Sequence, residues 1–178
     1  TDGRGVVLVL EEPELERVVT GRIPTASGYR TLRALPRQEL RATLSDAVAA
    51  CRATGAETVV LDAGAVGIDW TPRVGADAAV LGLPDGPTEQ WEPLAALHEA
   101  GVRLCFDTVP VTGRTPVSEL VRRVLGPWRE LGMDPAALLG TVLAPSARIS
   151  ELTSPHLPDA LQRVTHLAGA LTEACNEG

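Results

Sequence analysis

The chain has 178 residues, 44% of them apolar, which suits one domain with a sizeable core. Only five residues are aromatic (three Trp, one Tyr, one Phe), so that core must be built from Leu, Val and Ala. The sixteen basic residues are all Arg, against twenty-three acidic ones, for a net charge of −7; the absence of Lys excludes a pyridoxal Schiff base, a Schiff-base aldolase and a P-loop lysine, and the negative balance argues against a nucleic-acid or anionic-membrane surface.

The apolar run Val6 to Leu10 shows no alternation, which predicts a strand buried on both faces. Glu11, Glu12 and Pro13 close it. A long Gly, Pro, Ser and Thr-rich connection follows, from Thr20 to Pro36, and connections of that length are often functional. Pro36 to Thr54 reads as a helix, with Leu40, Leu44, Ala47, Val48 and Cys51 at helical spacing and Gly55 placed to end it. A second strand covers Glu57 to Ala63, followed by a loop from Gly64 to Arg73.

Ala76 to Leu83 forms a third strand, stopped by Pro84. The next helix runs from Thr88 to Ala100, with Pro93 in its first turn or at its true start. Strand four is Val102 to Val109. Thr115 then caps a helix that opens at Pro116 and ends at Gly132, and Pro127 should kink or divide it. Strand five is Leu138 to Ala144, and the last helix covers Pro158 to Ala174.

Strands alternating with helices imply right-handed crossovers and a mainly parallel α/β sheet of five strands. An open doubly wound sheet and part of a (β/α)8 barrel both fit; five units in 178 residues would be an incomplete barrel. No linker divides residues 1–178, which read as a single domain. Cys51, Cys105 and Cys175 are isolated thiols without C-x-x-C spacing, as in a reducing cytoplasm. No apolar run approaches the ~18 residues of a membrane span, and no secretory signal is visible. The chain opens at Thr1 without a Met, as a processed product or a fragment does.

In parallel α/β folds the site forms at the carboxyl ends of the strands. Those ends carry Glu11 and Glu12, Asp62, Asp85, Asp107, and Ser146 with Arg148. A mouth rich in carboxylates suits a metal, a cationic substrate group or an acid/base pair. The competing reading is structural: a carboxylate just after a strand often caps the next helix or binds loop N–H groups. Glu11 and Glu12 stand out, because two adjacent acids end an apolar strand and precede Pro, so at least one should face the mouth. Asp62, Asp107 and Ser146 are weaker candidates. His98, His156 and His166 have no second His or Cys at ligand spacing. No G-x-G-x-x-G follows a strand, so a dinucleotide fingerprint is missing.

The segment Val9-Leu10-Glu11-Glu12-Pro13-Glu14-Leu15 resembles the apolar Asp-Glu-Pro-Ala-Leu segment of the cobalamin-independent methionine synthases. Gly21-Arg22-Ile23-Pro24-Thr25-Ala26-Ser27-Gly28-Tyr29 looks like the corresponding loop of their shorter actinobacterial relatives. Ala76-Asp77-Ala78-Ala79-Val80 is similar to the next-strand pattern, and Leu143-Ala144-Pro145-Ser146 to the last strand, which in the family runs into Pro-x-Cys-Gly. The resemblance implies a (β/α)8 barrel of which this chain supplies strands four to eight. It also implies a zinc ion that holds homocysteine as thiolate for attack on a methylfolate.

The family's zinc ligands do not carry over. Its His-x-Cys pair falls on Leu61 and Ala63, its Glu at or beside Gly82, and its final Cys on Ala147, none of which can bind zinc. Glu11-Glu12 matches the acidic pair that helps hold the substrate amino group. Three readings follow. In the first, the chain is a degenerate family member with no metal or other cofactor, holding at most a small amino-acid-like ligand at Glu11 and Glu12. In the second, it is an active methyltransferase whose ligands come from another chain, from the missing strands, or from Asp62 and Asp107. In the third, it is a structural module that forms a homo-oligomer or joins the missing barrel portion, because a partial barrel has sheet edges to cover.

Overall fold

The computed structural model describes residues 5–111, 115–146 and 155–177. Among them five strands alternate with helices. The order is β1 Val6–Glu11, α1 Leu15–Thr20, α2 Arg37–Ala53, β2 Ala56–Asp62, α3 Gly67–Val74, β3 Ala78–Gly82, α4 Glu92–Glu99, β4 Arg103–Pro110, α5 Val117–Glu130, β5 Val142–Ser146 and α6 Leu157–Asn176. The strand order is β1-β2-β3-β4-β5, and the ladders β1–β2, β2–β3 and β4–β5 are parallel. The expected α/β class with five parallel strands is present. Strictly sequential order is that of consecutive barrel units; a doubly wound sheet would reverse direction beside its first strand. No helix among the described residues is long and apolar enough to cross a membrane.

Two compact units are distinguished, Thr1–Val80 with Ala100–Val102, and Leu81–Glu99 with Arg103–Gly178. In the first, one face of β1 and β2 (Leu8, Leu10, Val59, Leu61) packs with Leu44 and Val48 of α2 and Trp70 and Val74 of α3. Period-two alternation therefore sets Val7, Val9 and Glu11, and Thr58, Val60 and Asp62, on the other face. Asp77 ties the unit together at the start of β3. Its Oδ2 accepts the Val59 N–H at 2.8 Å, and its Oδ1 meets the Arg52 guanidinium at 2.7 Å.

The second unit is built on large buried side chains. Trp91 packs against Phe106 of β4 at 6.0 Å between ring centroids. Trp128 is fully buried, donates from Nε1 to the Asp134 carbonyl at 3.0 Å, and meets His98 edge-on. Val109, Leu120, Ala160 and Leu167 form a further cluster beneath α5 and α6.

Several expectations are corrected. β1 is not buried on both faces: Val7 and Val9 are 57% and 51% exposed, and among the described residues β1 pairs only with β2, so it lacks a second flanking strand. The loop expected over Gly64 to Arg73 is a 3-10 turn, Gly64–Val66, followed by α3. Val66, Trp70 and Val74 recur at i, i+4, i+8 and drive that helix, a period hidden by Gly67 and Pro72. The long Thr20 to Pro36 connection folds back on itself. Pro24 and Thr31 form an antiparallel bridge, with Leu32 N–H donating to the Ile23 carbonyl at 2.7 Å. Gly21 starts the excursion at φ +66°, where a Cβ would come within 3.1 Å of the Ala34 nitrogen.

Strand five begins later than expected. Pro135–Gly140 is a 3-10 turn capped by Asp134, whose carboxylate accepts the Ala136 N–H at 2.8 Å. Thr115 provides no side-chain cap to α5, and its carbonyl instead receives the Arg163 guanidinium at 2.5 Å. Pro127 does not divide α5, which runs on to Glu130. Pro93 falls in the first turn of α4 and Gly55 follows α2 at φ +96°, both as expected.

Candidate functional site

The ladder between β1 and β2 sets Glu11 directly beside Asp62, both at the carboxyl ends of their strands. Their backbones lie one interstrand spacing apart, about 4.8 Å. The two carboxylates share the face that carries Val9 and Val60, not the helix-packed face. The pair is therefore a product of strand register. Glu11 is exposed and Asp62 half-buried. Among the described residues Glu11 and Glu12 make no side-chain hydrogen bond or ion pair. Asp62 accepts a long bond from the Gly64 N–H, at 3.4 Å, a local loop contact that leaves most of its acceptor capacity unused.

Glu12 lies past the end of β1 and is exposed. Its backbone N–H donates to the Asp62 carbonyl at 2.7 Å, which locks the end of β1 to the end of β2. Glu11, not Glu12, is thus the acid placed beside Asp62. Two anions side by side repel, and an ammonium group or another small cation donating to both would relieve that repulsion.

Asp107 and Ser146 come together in the second unit. Asp107 is half-buried on β4, opposite Ala144 of β5, and the Ser146 hydroxyl donates to the Asp107 carbonyl at 3.2 Å. The hydroxyl thus bonds backbone, helping to hold the register past the irregularity between Asp107 and Val109. Asp85 is ion-paired with Arg123. Arg148 and Ala147 lie outside the described residues. A concavity of about 460 Å³ beside Asp85 is lined in part by Trp91, Glu119, Arg122 and Arg123, whose charges are paired within it.

The positions matched to zinc ligands do not fit a metal. Leu61 and Ala63 are buried in the helix-facing core, with no donor atom on either side chain, and Gly82 has no side chain. Among the described residues no three His, Cys, Asp or Glu side chains gather as a metal-holding group. Cys105 lies on the same face of β4 as Asp107 but is buried, and burial raises its thiol pKa above the ordinary value, so it is no ready thiolate. Sequence reasoning passed over a second concavity, between α2 and α3 and lined by three arginines. The Arg37, Arg41 spacing was visible, but Arg73 lay in a segment expected to be loop. No protein-family model matches the chain, and no curated protein sequence matches it.

Proposed function

We propose that the chain is a degenerate relative of the cobalamin-independent methionine synthases that binds the ammonium group of a small amino-acid-like ligand between Glu11 and Asp62. The observation that carries this reading is the register pairing of those two acids at the carboxyl ends of adjacent parallel strands. The family resemblance gives the acidic segment its role, since the matching acids in that family help hold a substrate amino group. The same resemblance would place a His-x-Cys pair on β2, but the chain offers Leu61 and Ala63, and the neighbouring positions on the Glu11 face are Val60 and Asp62. Neither register provides the soft sulfur or imidazole ligands that thiolate activation needs. The ligand is held and no zinc-dependent methyl transfer follows.

Calorimetric titration with L-methionine and L-homocysteine tests this reading. Saturable binding is expected for both, with none for the 2-hydroxy analogue that lacks the ammonium. Glu11→Gln and Asp62→Asn each abolish it, while Glu12→Gln leaves it unchanged. Equal affinity for the hydroxy analogue, or indifference to both substitutions, overturns the proposal, as does stoichiometric zinc in the purified protein.

A second reading is favoured by β1 itself. Val6, Val7 and Val9 are 50%, 57% and 51% exposed on the first strand of the sheet. An association module would bury them against a further chain. Light scattering that shows a monomer at high concentration removes this reading and leaves the first untouched.

A further inference from the structure

The open concavity between α2 and α3 has a volume of about 430 Å³ and is lined by Arg37, Gln38, Arg41 and Arg73, all exposed, over the buried Trp70. That volume falls in the ordinary range for small-molecule sites. Arg37 and Arg41 stand one helical turn apart on α2, on the same side, as i,i+4 neighbours must. Arg73 comes from the last turn of α3, three residues after Trp70. The lining thus includes three arginines in a chain whose net charge is −7.

Their partners are too few to neutralise them. Arg41 Nε donates to the Arg73 carbonyl at 3.0 Å, which fixes its guanidinium plane and leaves both Nη atoms available. Arg73 Nη1 donates to the Asp69 carbonyl at 2.8 Å and lies 3.5 Å from the Asp69 carboxylate, a loose and exposed ion pair. Arg37 makes no hydrogen bond or ion pair among the described residues. One carboxylate therefore serves three cations. Of the other described arginines, Arg52 meets Asp77 at 2.7 Å, Arg17 meets Glu14 at 2.6 Å, Arg122 and Arg123 pair with Glu119 and Asp85, and Arg22 lies 4.0 Å from Glu16.

A purely structural account covers part of this. The Arg41 bond to the Arg73 carbonyl satisfies the carboxyl end of α3, and that end favours a cation. It gives no reason for Arg37 to line the same cavity, or for Gln38 to add a further polar side chain. Gathered guanidiniums repel, and an oxyanion that accepts from several of them converts the repulsion into charge-assisted hydrogen bonds.

We propose that this cavity binds a small, multiply charged phosphate-bearing ligand held by Arg37, Arg41 and Arg73. Guanidinium is the group that matches phosphate geometry with paired N–H donors, and three of them suit more than one negative charge. Asp69 competes with the ligand for Arg73. This site lies apart from the Glu11 and Asp62 pair in chemistry and does not depend on it.

The test is calorimetric titration of the whole chain with inorganic pyrophosphate at low ionic strength, with orthophosphate and a nucleoside diphosphate as further arms. Saturable binding of pyrophosphate is expected, tighter than that of orthophosphate. Arg37→Gln should weaken it about tenfold or more, the lower range for a hydrogen bond to a charged group. Asp69→Asn should strengthen it several-fold, which mere loss of structure would not do. Tighter binding of the nucleoside diphosphate than of pyrophosphate would identify a nucleotide as the ligand and confirm the phosphate site. No saturation at millimolar pyrophosphate overturns the proposal, and so does an affinity unchanged in Arg37→Gln with the fold intact by circular dichroism.

Discussion

β1 and β4 read alike in the sequence, as short apolar runs that end near acids, yet they are built into the molecule on different terms. In β4, Leu104, Phe106 and Val109 are 1% exposed or less, and only the two ends and Asp107 escape full burial. In β1 no residue is fully buried. Only Leu8 and Leu10 pack into a core, while Val7 and Val9 face away from it half-exposed. Hydrophobicity determines that a strand can be buried; the neighbours it finds determine whether it is. The acids inherit the difference. Asp107 sits half-buried on a packed strand, whereas Glu11 stands exposed at the end of an open one.

The sharpest way to break this comparison is to truncate one side chain on each strand. Phe106→Ala should cost about 3–5 kcal/mol, the range for removing a fully buried aromatic ring, and should leave Trp91 without its ring partner. Val9→Ala should cost no more than about 0.5 kcal/mol, as at other exposed positions. Denaturant midpoints at unchanged slope measure both. A cost for Val9→Ala near that of Phe106→Ala would mean that β1 is covered in solution.

Asp77→Ala is next in size. It removes the acceptor of the partly buried Val59 N–H and the partner of Arg52 together. The unsatisfied amide sets an expected cost of about 1–3 kcal/mol. Arg52→Ala should cost about 1 kcal/mol or less, since that guanidinium is nearly half-exposed. Equal losses would show that the ion pair, not the backbone acceptor, is what Asp77 contributes.

The alternation of apolar runs and amphipathic stretches made the α/β class legible, because helices packed on a sheet impose that pattern on the chain. Although β5 runs past the expected Ala144, to Ser146, the ends of β1 and β3 were legible too, through Pro13 and Pro84. The juxtaposition of Glu11 with Asp62 was not, because register is a tertiary property: one residue of slip would have set Glu11 beside Leu61 or Ala63. The exposure of β1 was hidden for a related reason, since a run of Val and Leu does not say how many neighbours its strand has. The arginine cavity was hidden by Gly67 and Pro72, which made α3 look like loop and detached Trp70 and Arg73 from a helical face.

A smaller effect separates the two strands by pH. Burial, above all, raises the Cys105 thiol on β4 above its ordinary 9.0, with Arg103 lowering and Asp107 raising it further. Cys175 at the end of α6 is raised in the same way, by burial first. A group whose pKa is higher folded than unfolded holds its proton longer in the native state. Its contribution is complete below the unfolded value and is lost as pH rises through the folded one. Stability should therefore fall above pH 9.0, and Cys105→Ala should flatten that fall. The chain has no Lys, so no lysine titration overlaps that range. Thiol labelling should reach half-buried Cys51 first and the other two only on unfolding.

The least effect is expected where the proposed ligand binds. Like charges set directly opposite on neighbouring strands cost a few tenths of a kcal/mol to about 1 kcal/mol. Glu11→Gln removes one such charge from an exposed position, so it should raise the stability of the ligand-free chain by a few tenths of a kcal/mol at neutral pH. The gain should shrink with added salt, because screening already weakens the repulsion in the parent chain. The same substitution abolishes the proposed ammonium binding, so stability and binding should move in opposite directions. Were Glu11→Gln to lower stability instead, the Glu11 carboxylate would be serving the end of β1 as an acceptor, and its repulsion with Asp62 could not be what draws a cation to the site.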